Sequence, residues 1–476
     1  MGKLVFSSCL AMSCFVARVG HASTDCRQIQ SLIDNAKTSS SQVTITVPAG
    51  DYTCQEPIFI ERDNINLVGA GKVKIKLADN ANAPVMVIGS RHTKWMKDPK
   101  TGREDFFTVT ADGSSQIKTV RNVRVSGFDI DGNKDNQSYE CWTPNAKTPP
   151  RKPGEAISNA TCDGTGPSAI RNNGITIRGA EDIQVSDVIL NNNASGGMVT
   201  EKHVARLRVQ RMKASHNWFD GFAGYQTENS SIEDSELTRN QGAGASLDLN
   251  FNNNTFLRTN LSDNAHQGVF ARELSGNKWI DSEISCNGYQ GVFLASSHAG
   301  QVETAQFRIL SRQKGHAVGD DLSLTTAFFR ELILAEQTKP ENRFPLESIL
   351  ARAKDEKRPP EDVLAEIYSQ EIAAKRARCA NGNEFQNTRI ACSGTKKPEW
   401  GTGLRINDDE CTANCIDAGT RGYFEALEGD KRNSAGAITV GTTGLLSVSE
   451  MKTCGKSTKP LRVKEPSKPT KSPTHR

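Results

Sequence analysis

Apolar and polar residues alternate in short runs that recur along the middle of this chain at a nearly constant interval. The glycines that open these runs are 23 or 24 residues apart: Gly174, Gly197, Gly221, Gly244, Gly268 and Gly291. Alternation with a period of two is typical of a β-strand, and a fixed period of this length is typical of stacked repeats. About 23 residues accommodate three short strands and three turns. The pattern therefore predicts an all-β solenoid whose coils form a parallel β-helix.

The second half of each coil supports this register. Five segments align without gaps and end in asparagine-rich turns: DIQVSDVILNNN, RLRVQRMKASHN, SSIEDSELTRNQ, NTFLRTNLSDNA and NKWIDSEISCNG. Asparagine suits such corners because it tolerates left-handed backbone and bonds its own main chain. The same phrase returns as GNEFQNTRI at 382–390, although the register predicts it near residue 299. We therefore expect an insertion at 300–381, followed by the final coils and a C-terminal cap at 382–450.

The period changes inside the insertion. Apolar residues recur there at helical spacing (Val363 with Ile367, and Leu364 with Tyr368 and Ile372), and Pro359-Pro360 precede them as a helix start. Two further helices are predicted at 321–337 and 346–354. A helical insertion of this kind could serve as a lid, as a docking element or as a packing appendage.

The rest of the β-helix is expected at 23–299. Residues 23–60 contain a short amphipathic start and read as an N-terminal cap, and 64–77 and 119–131 read as early coils. The regular coils occupy 173–297. Between the two parts, the Pro-rich segment 133–172 is predicted to be an expanded loop, and loops of this length are often functional.

The chain begins like an exported protein. Lys3, the apolar stretch 4–16 and a Gly-His-Ala ending at Ala22 predict a signal peptide at 1–22. No later segment is apolar enough for a transmembrane helix, so a secreted or periplasmic location is expected. Removing the signal leaves ten of the twelve cysteines, which favours disulfides. Local pairing suggests Cys26 with Cys54, Cys141 with Cys162, and Cys411 with Cys415, although spacing alone leaves the connectivity open.

Charge is distributed unevenly. The formal charge is +4, but segment 1–22 carries +2 and segment 451–476 carries +7, which leaves −5 on the remainder. The Pro-, Lys- and Ser-rich tail at 451–476 has few apolar residues and is predicted to be disordered. No segment resembles a nucleic-acid-binding module, and the sequence defines no oligomeric state.

A row of polar side chains is predicted to face outward. In each repeat strand the first and third residues after the glycine are apolar and should face the core, so the second and fourth should face out. The fourth positions give the outward row: Arg178, Glu201, Tyr225, Asp248 and Arg272. Asn250 is expected to extend the strand of Asp248, and Phe270 and Phe293 occupy outward second positions. His216 and His266 lie in the turns before the strands.

Such a row suits proton abstraction at C5 of a uronic acid in an acidic polysaccharide. The sugar carboxylate must first be neutralised, which arginine or imidazolium can do. A base and an acid then move protons, and Tyr225, His216, Asp248, Arg272 and His266 are the candidate catalytic residues. Arg178, Glu201, Asn250, Phe270 and Phe293 are the candidate substrate-binding residues.

Three alternatives stay open. The row could be a solvated sheet face held by cross-strand pairs, in which case the protein is a non-catalytic glycan-binding or scaffold protein of the cell envelope. Glu201 and Asp248 could instead act as the two carboxylates of an inverting glycoside hydrolase. No cofactor is required, although Glu201 and Asp248 could contribute oxygen ligands to Ca²⁺.

The repeats resemble a known group of proteins. With HNWFDGFAGYQTENSSIEDSELTRNQGAGASLDLNFNNNTF at their centre, residues 173–297 are similar to right-handed parallel β-helix proteins of the pectate-lyase superfamily. Within that group they most resemble mannuronan C5-epimerases and related alginate-acting enzymes. The resemblance implies a right-handed helix and epimerase or lyase activity. The Asp-Pro-His-Asp/Glu motif of those epimerases is absent, and Tyr225, His216, Asp248 and Arg272 are the residues of matching type.

Overall fold

The structure is a computed structural model that describes residues 23–37, 40–97, 104–108, 119–137, 172–315, 324–421, 438–440, 444–446 and 453–454. The expected signal peptide at 1–22, the greater part of the loop 133–172 and nearly all of the tail 451–476 lie outside the described residues. So does the suggested pair of Cys141 and Cys162.

The described strands wind into a parallel β-helix. One sheet is formed by the strands that follow the column of glycines, and each strand pairs in parallel with the one in the next coil. Its strands are Ile58–Ile60, Met86–Ile88, Ile175–Asn191, Met198–Ala205, Phe222–Tyr225, Ala245–Asp248, Val269–Arg272, Val292–Ala295, Leu404–Ile406 and Ile438–Val440. We call it the first sheet.

Two further sheets complete each coil, and the long strands Ile65–Leu77, Val120–Asp131 and Ile175–Asn191 run through more than one sheet. The second sheet contains Val43–Val47, Arg208–Gln210, Ser231–Glu233, Thr255–Leu257, Lys278–Ile280, Glu384–Gln386 and Cys415–Ile416. The third contains Thr24–Asp25, Gly50–Cys54, Lys213–Ser215, Glu236–Thr238, Glu283–Ser285 and Arg389–Ala391. Short strands also lie at Thr227–Glu228, Leu274–Ser275 and Ala380–Asn381.

Antiparallel pairing joins Thr93–Lys97 to Glu104–Thr108, and Ile438–Val440 to Gly444–Leu446. The hairpin strand Glu104–Thr108 approaches the first-sheet strand Met198–Ala205. It therefore lies beside one of the early coils of the first sheet.

The glycine column is confirmed, and its cause is steric. A Cβ added at Gly197 would lie 2.7 Å from the carbonyl oxygen of Gly221, and one at Gly221 would lie 2.9 Å from that of Gly244. The same close approach recurs up the stack to Gly291, whose added Cβ would lie 2.7 Å from the oxygen of Gly403. Each coil from Gly174 to Gly291 therefore needs a residue without a side chain where it enters the first sheet.

Buried asparagines form two ladders inside the corners. One ladder runs through Asn193, Asn217, Asn240, Asn264 and Asn287, and the amide of each donates to the side-chain oxygen of the next at 2.7–3.2 Å. The other joins Asn254, Asn277, Asn383 and Asn414 at 2.9–3.2 Å. The step from Asn277 to Asn383 spans 106 residues, so one coil carries the whole insertion.

Apolar residues fill the space between the sheets. The predicted inward positions Met198, Thr200, Val269, Ala271, Val292 and Leu294 are all buried. Phe256, Trp279 and Phe385 stack on one another in successive coils, with ring centroids 5.5 and 4.8 Å apart. Each coil thus buries its apolar face against its neighbours, as stacked repeats require.

Five α-helices lie within the described residues: Arg27–Asp34, Thr304–Gln313, Thr326–Thr338, Leu346–Glu356 and Pro360–Ala377. Short 3₁₀ helices occur at Lys134–Asn136 and Pro398–Trp400. Helix Arg27–Asp34 contacts the strand Ile58–Ile60 and buries Ile29 and Ile33, so it covers the first coils. None of the described helices is long and apolar enough to cross a bilayer.

The four helices of the insertion share their own apolar core, which includes Phe307, Phe328, Leu364 and Tyr368. Thr304–Gln313 was not predicted from periodicity. Its buried Arg308 donates to Asp409 at 2.7 Å and to Glu410 at 2.8 Å, which fixes the insertion to the loop after the strand Leu404–Ile406.

Four disulfides join described residues. Cys26–Cys54 is confirmed. The suggested pair of Cys411 with Cys415 is wrong, because Cys411 bonds Cys379 and Cys415 bonds Cys454. The fourth bond, Cys286–Cys392, joins equivalent corners of adjacent coils across the insertion. Cys411 and Cys415 bond cysteines of other coils, which are 32 and 39 residues away in the sequence. Their short spacing therefore does not indicate their partners.

Candidate functional site

The outward row forms one continuous column on the first sheet. Arg178 pairs in register with Glu201, and Tyr225 pairs with Asp248. The neighbouring pairs Thr200–Gly224 and Leu247–Ala271 carry the same register from Glu201 to Tyr225 and from Asp248 to Arg272. Successive members of the row therefore lie one coil, or about 4.8 Å, apart.

Ion pairs occupy both ends of the row. Arg178 Nε lies 3.4 Å from Glu201 Oε1, and these side chains are only 15% and 13% exposed. Arg272 Nη2 donates to Asp248 Oδ2, and the Asp248 side chain is 8% exposed while that of Arg272 is 40% exposed. Burying charge is costly, so this row differs from the fully solvated sheet face that was the simplest alternative.

Burial also changes the acidity of the row. It raises the pKa of Asp248 above the ordinary value for an aspartate, although the charge of Arg272 and a hydrogen bond from the Leu249 backbone act in the opposite direction. The backbone N–H of Leu249 donates to Asp248 Oδ1 at 2.8 Å. The carboxyl is therefore held by a main-chain donor and by an arginine at once.

The second-position side chains, which lie beside the row, increase in size along the first sheet. Val199, Ala223 and Ser246 are small, whereas Phe270 and Phe293 follow in the next two coils. The two phenyl rings are parallel within 2°, with centroids 5.5 Å apart, and the guanidinium of Arg272 lies 5.1 Å from the Phe270 centroid. One face of each phenyl ring is thus covered by the other, so the rings form a wall above Ser246.

Asn250 departs from its expected position. The strand ends at Asp248, and both Leu249 and Asn250 adopt left-handed backbone with φ of 52° and 67°. The chain turns a corner there, and Asn250 N donates to the Glu273 carbonyl of the next coil at 2.7 Å. The prediction that Asn250 extends the strand is therefore wrong, because this asparagine forms the corner.

His216 lies at the far end of the turn that precedes Tyr225. It follows the third-sheet strand Lys213–Ser215 with a left-handed φ of 58°, and its Nδ1 is 3.0 Å from Ser215 Oγ. Its carbonyl accepts a hydrogen bond from Lys134 Nζ. Partial burial, and then the charges of Arg239 and Lys134, lower the pKa of the imidazole, which favours the neutral ring.

His266 belongs to an aromatic and cationic surface that the sequence did not reveal. Its imidazole stacks on Tyr289 with centroids 4.7 Å apart, and Trp400 meets Tyr289 edge-on at 5.1 Å. Lys397 Nζ lies 4.1 Å from the Trp400 ring. Burial, and then the charges of Lys396 and Lys397, lower the pKa of His266. We call His266, Tyr289, Lys396, Lys397 and Trp400 the turn patch.

Asp220 is a carboxyl group in the turn before Tyr225 that is not among the predicted site residues. Its Oδ1 accepts a hydrogen bond from Ala243 N at 2.7 Å, and burial raises the pKa of its carboxyl to about 7. A Cβ at Gly242 would lie 2.6 Å from that oxygen, so glycine makes room for the carboxyl. The sequence feature that could have indicated this buried carboxyl is the combination of Asp220 and Gly242, which lie in equivalent turns of adjacent coils.

The row carboxylates do not form a common Ca²⁺ ligand set. Glu201 and Asp248 are separated by the coil of Tyr225, and each is paired with an arginine. Within the described part of the chain, no group of three or more His, Cys, Asp or Glu side chains is arranged to hold a metal ion. A small cavity of about 210 Å³ lies under the N-terminal helix, lined by Cys26, Gln30 and Ile58 among others, and so at the opposite end from the turn patch.

Comparison with known proteins supports the fold. A family model described as a right-handed β-helix region matches residues 154–307, and the right-handed parallel β-helix expected from the sequence is confirmed. A search of curated proteins finds no significant match.

Several solved structures are similar in part. The Azotobacter vinelandii mannuronan C-5 epimerase AlgE6 A-module is 16% identical with a TM-score of 0.40, over 57% of this chain and 69% of that one. The AlgE4 A-module of the same organism is 15% identical with a TM-score of 0.39, over 84% of this chain and 86% of that one. The Dettilon tailspike protein is 10% identical with a TM-score of 0.38, over 87% of this chain and 64% of that one.

Proposed function

We propose that this protein acts on an acidic, uronate-containing polysaccharide by proton abstraction at C5, as an epimerase or a lyase. The observation that carries the proposal is the partly buried row of arginine, glutamate, tyrosine, aspartate and arginine in a single register. Its arginines can neutralise sugar carboxylates, and its tyrosine stands between the two ion pairs.

Arg272 is best suited to receive the sugar carboxylate. Its Nη2 donates to Asp248 and its Nε is buried, while the side chain as a whole is 40% exposed. A guanidinium has five N–H donors in a fixed fork, so donors remain for a carboxylate at its exposed side. Phe270 beneath the guanidinium and Asp248 at its edge fix the orientation of the fork.

Tyr225 is the proposed proton donor. Its neighbours in the row, Glu201 and Asp248, are carboxylates, whose negative charges favour the protonated phenol, so the hydroxyl is present as a proton donor. His216, whose lowered pKa favours the neutral ring, is the proposed base. His216 lies in the turn before the strand of Tyr225, so this role requires the C5 atom of the bound sugar to lie between the turn and the row.

A second candidate, inverting glycoside hydrolysis, is favoured by the raised pKa of Asp248. Glu201 and Asp248 are two coils apart, or about 9–10 Å along the stack, which is at the upper limit of the roughly 6.5–9.5 Å between the carboxyl groups of inverting enzymes. In this reaction Asp248 would donate the proton and Glu201 would activate water.

One assay separates these reactions. The mature protein is incubated with a panel of uronate polymers, and ultraviolet absorbance for unsaturated ends is followed together with proton NMR. Unsaturated ends identify a lyase, inverted uronate signals without cleavage identify an epimerase, and new reducing ends without unsaturation identify a hydrolase. If no polymer is altered, the protein is a glycan-binding or scaffold protein.

Export to the periplasm or medium is part of the proposal, and sequencing the N-terminus of exported protein tests cleavage after Ala22.

A further inference from the structure

Two members of the turn patch lie in the same two coils as the phenyl rings beside the outward row. His266 and Phe270 belong to one coil, and Tyr289 and Phe293 belong to the next. In each coil the two aromatic residues are four positions apart, which is at most about 14 Å of chain. Each aromatic residue stacks on its counterpart in the adjacent coil, at 4.7 Å in the turn and 5.5 Å in the strand.

The two coils are joined beneath this surface. Gln267 Nε2 donates to Gln290 Oε1 at 3.1 Å directly after His266 and Tyr289 in the chain, and Gln290 is only 4% exposed. This hydrogen bond holds the two coils together, so the aromatic pairs of the strand and of the turn keep a fixed spacing. Sugars offer apolar ring faces, and the aromatic side chains provide partners for them.

The lysines of the turn patch are held by the backbone. Lys396 N and Lys397 N both donate to the Gly288 carbonyl, at 3.1 and 3.0 Å, and Gly394 N donates to the Tyr289 carbonyl at 2.8 Å. A Cβ at Gly288 would lie 1.9 Å from the Ala265 carbonyl oxygen and 3.2 Å from the Lys396 side chain. The loop therefore packs closely against the preceding coil, and the backbone of both lysines is held in place.

Trp400 remains accessible in this fixed loop. It is 43% exposed, although Tyr289 meets one side of it and Lys397 Nζ approaches its ring. An exposed tryptophan beside lysines fits an anionic ligand that also has an apolar face. A loop-stabilising role would require only the Lys397 contact, which is worth about 0.5–1 kcal/mol at an exposed site.

We propose that the turn patch is a docking site for the acidic polysaccharide, which holds the chain where it leaves the outward row. The sugar next to Arg272 passes along Phe270 and Phe293, and later units reach Tyr289 and Trp400. Lys396 and Lys397 bind the carboxylates of those units. This inference rests on the proposed function for the identity of the ligand, but binding at the patch does not require turnover.

Affinity electrophoresis through gels that contain polymannuronate or polygalacturonate tests the proposal. Trp400→Ala and the double variant Lys396→Gln with Lys397→Gln are each expected to weaken retardation about tenfold, since a loss near 1.4 kcal/mol corresponds to that factor. Lys213→Gln with Lys278→Gln is the control, because it removes the same two charges from pairs with Glu236 on the third sheet and Glu384 on the second sheet. Thermal melts verify that each variant is folded.

Turnover separates this proposal from the proposed function. If a polymer is turned over, the patch variants should raise KM about tenfold for the polymer and leave kcat, and the KM of a disaccharide-sized substrate, unchanged. Retardation that depends on the patch without turnover of any polymer supports the docking site and overturns the enzymatic function. Unchanged retardation in both variants overturns the docking site, as does equal binding of a neutral glucan or of polyphosphate.

Discussion

Arg272 donates a hydrogen bond to Asp248, which precedes it by one coil, whereas Arg178 pairs with Glu201, which follows it by one coil. The order of charge along the helix axis is therefore positive, negative, phenol, negative, positive. Each arginine stands at an outer end of the row, and Tyr225 stands between the two carboxylates. Under the proposed function, this order directs sugar carboxylates to the ends and leaves the centre of the row for proton transfer.

Arg272→Lys should damage substrate binding more than stability. Lysine keeps the charge but loses the planar fork that contacts Asp248 and covers Phe270. We expect KM to rise roughly 10–100-fold, as for the loss of a charge-assisted hydrogen bond. Arg258→Lys is the matched control, because Arg258 makes a similar pair with Asp234 at 2.6 Å at an exposed corner away from the row. Equal KM values for both variants would remove Arg272 from the site.

Tyr225→Phe should abolish most of the turnover while leaving the fold intact. Only one oxygen is lost, and a general acid or base typically contributes 10²–10⁴-fold to the rate. We expect kcat to fall by roughly that factor on the substrate polymer, with little change in the melting temperature. Tyr52→Phe is the control, since that hydroxyl donates to the Pro48 carbonyl in the N-terminal cap. Full activity of Tyr225→Phe would refute the assignment.

Periodicity predicted the β-helix because steric rules repeat in every coil. The glycine column and the asparagine corners follow from a close backbone approach and from a buried amide ladder, and both leave a residue of one type at each repeat. The row of Arg178, Glu201, Tyr225, Asp248 and Arg272 could be placed in one column for the same reason. Alternation fixes which residues share a face.

Features that depend on contacts between distant segments could not be predicted in this way. Trp400 and Lys397 lie in a turn that interrupts the repeat, so no register placed them beside Tyr289. The disulfide pairing of Cys411 depends on where the insertion rejoins the coil. Asn250 fits the strand pattern by number, but its left-handed backbone ends the strand.

The asparagine ladder should carry a large share of the stability. Asn264 donates to the Leu237 carbonyl and to Asn287, and its side-chain oxygen accepts from Asn240 N and Nδ2. Asn264→Ala leaves these buried groups unsatisfied and should lower the free energy of unfolding by roughly 2–4 kcal/mol. Denaturant unfolding measures this loss. Gln241→Ala, at an exposed position of the neighbouring turn, should change stability by under about 0.5 kcal/mol; similar losses in both variants would count against the ladder.

Asp220 should make the protein less stable as the pH rises toward neutrality. Its pKa is raised from 3.8 to about 7 in the folded state, so between these values the folded chain holds a proton that the unfolded chain has released. Stability therefore falls as the pH increases through this window, and the cost above pH 7 is on the order of 4 kcal/mol. Asp220→Asn keeps the oxygen that accepts from Ala243 N and removes the titration. We expect the variant and the parent to be equally stable near pH 3.5, and the variant to be the more stable of the two at pH 8.

Asp234→Asn is the control, and its effect should have the opposite dependence on pH. Hydrogen bonding from Arg258 lowers the pKa of Asp234, so the Asp234 carboxylate stabilises the fold at neutral pH but not in acid. Asp234→Asn should therefore destabilise the protein at neutral pH only. Unfolding in urea at several pH values measures both trends, and a pH-independent difference for Asp220→Asn would show that its carboxyl does not titrate in this range.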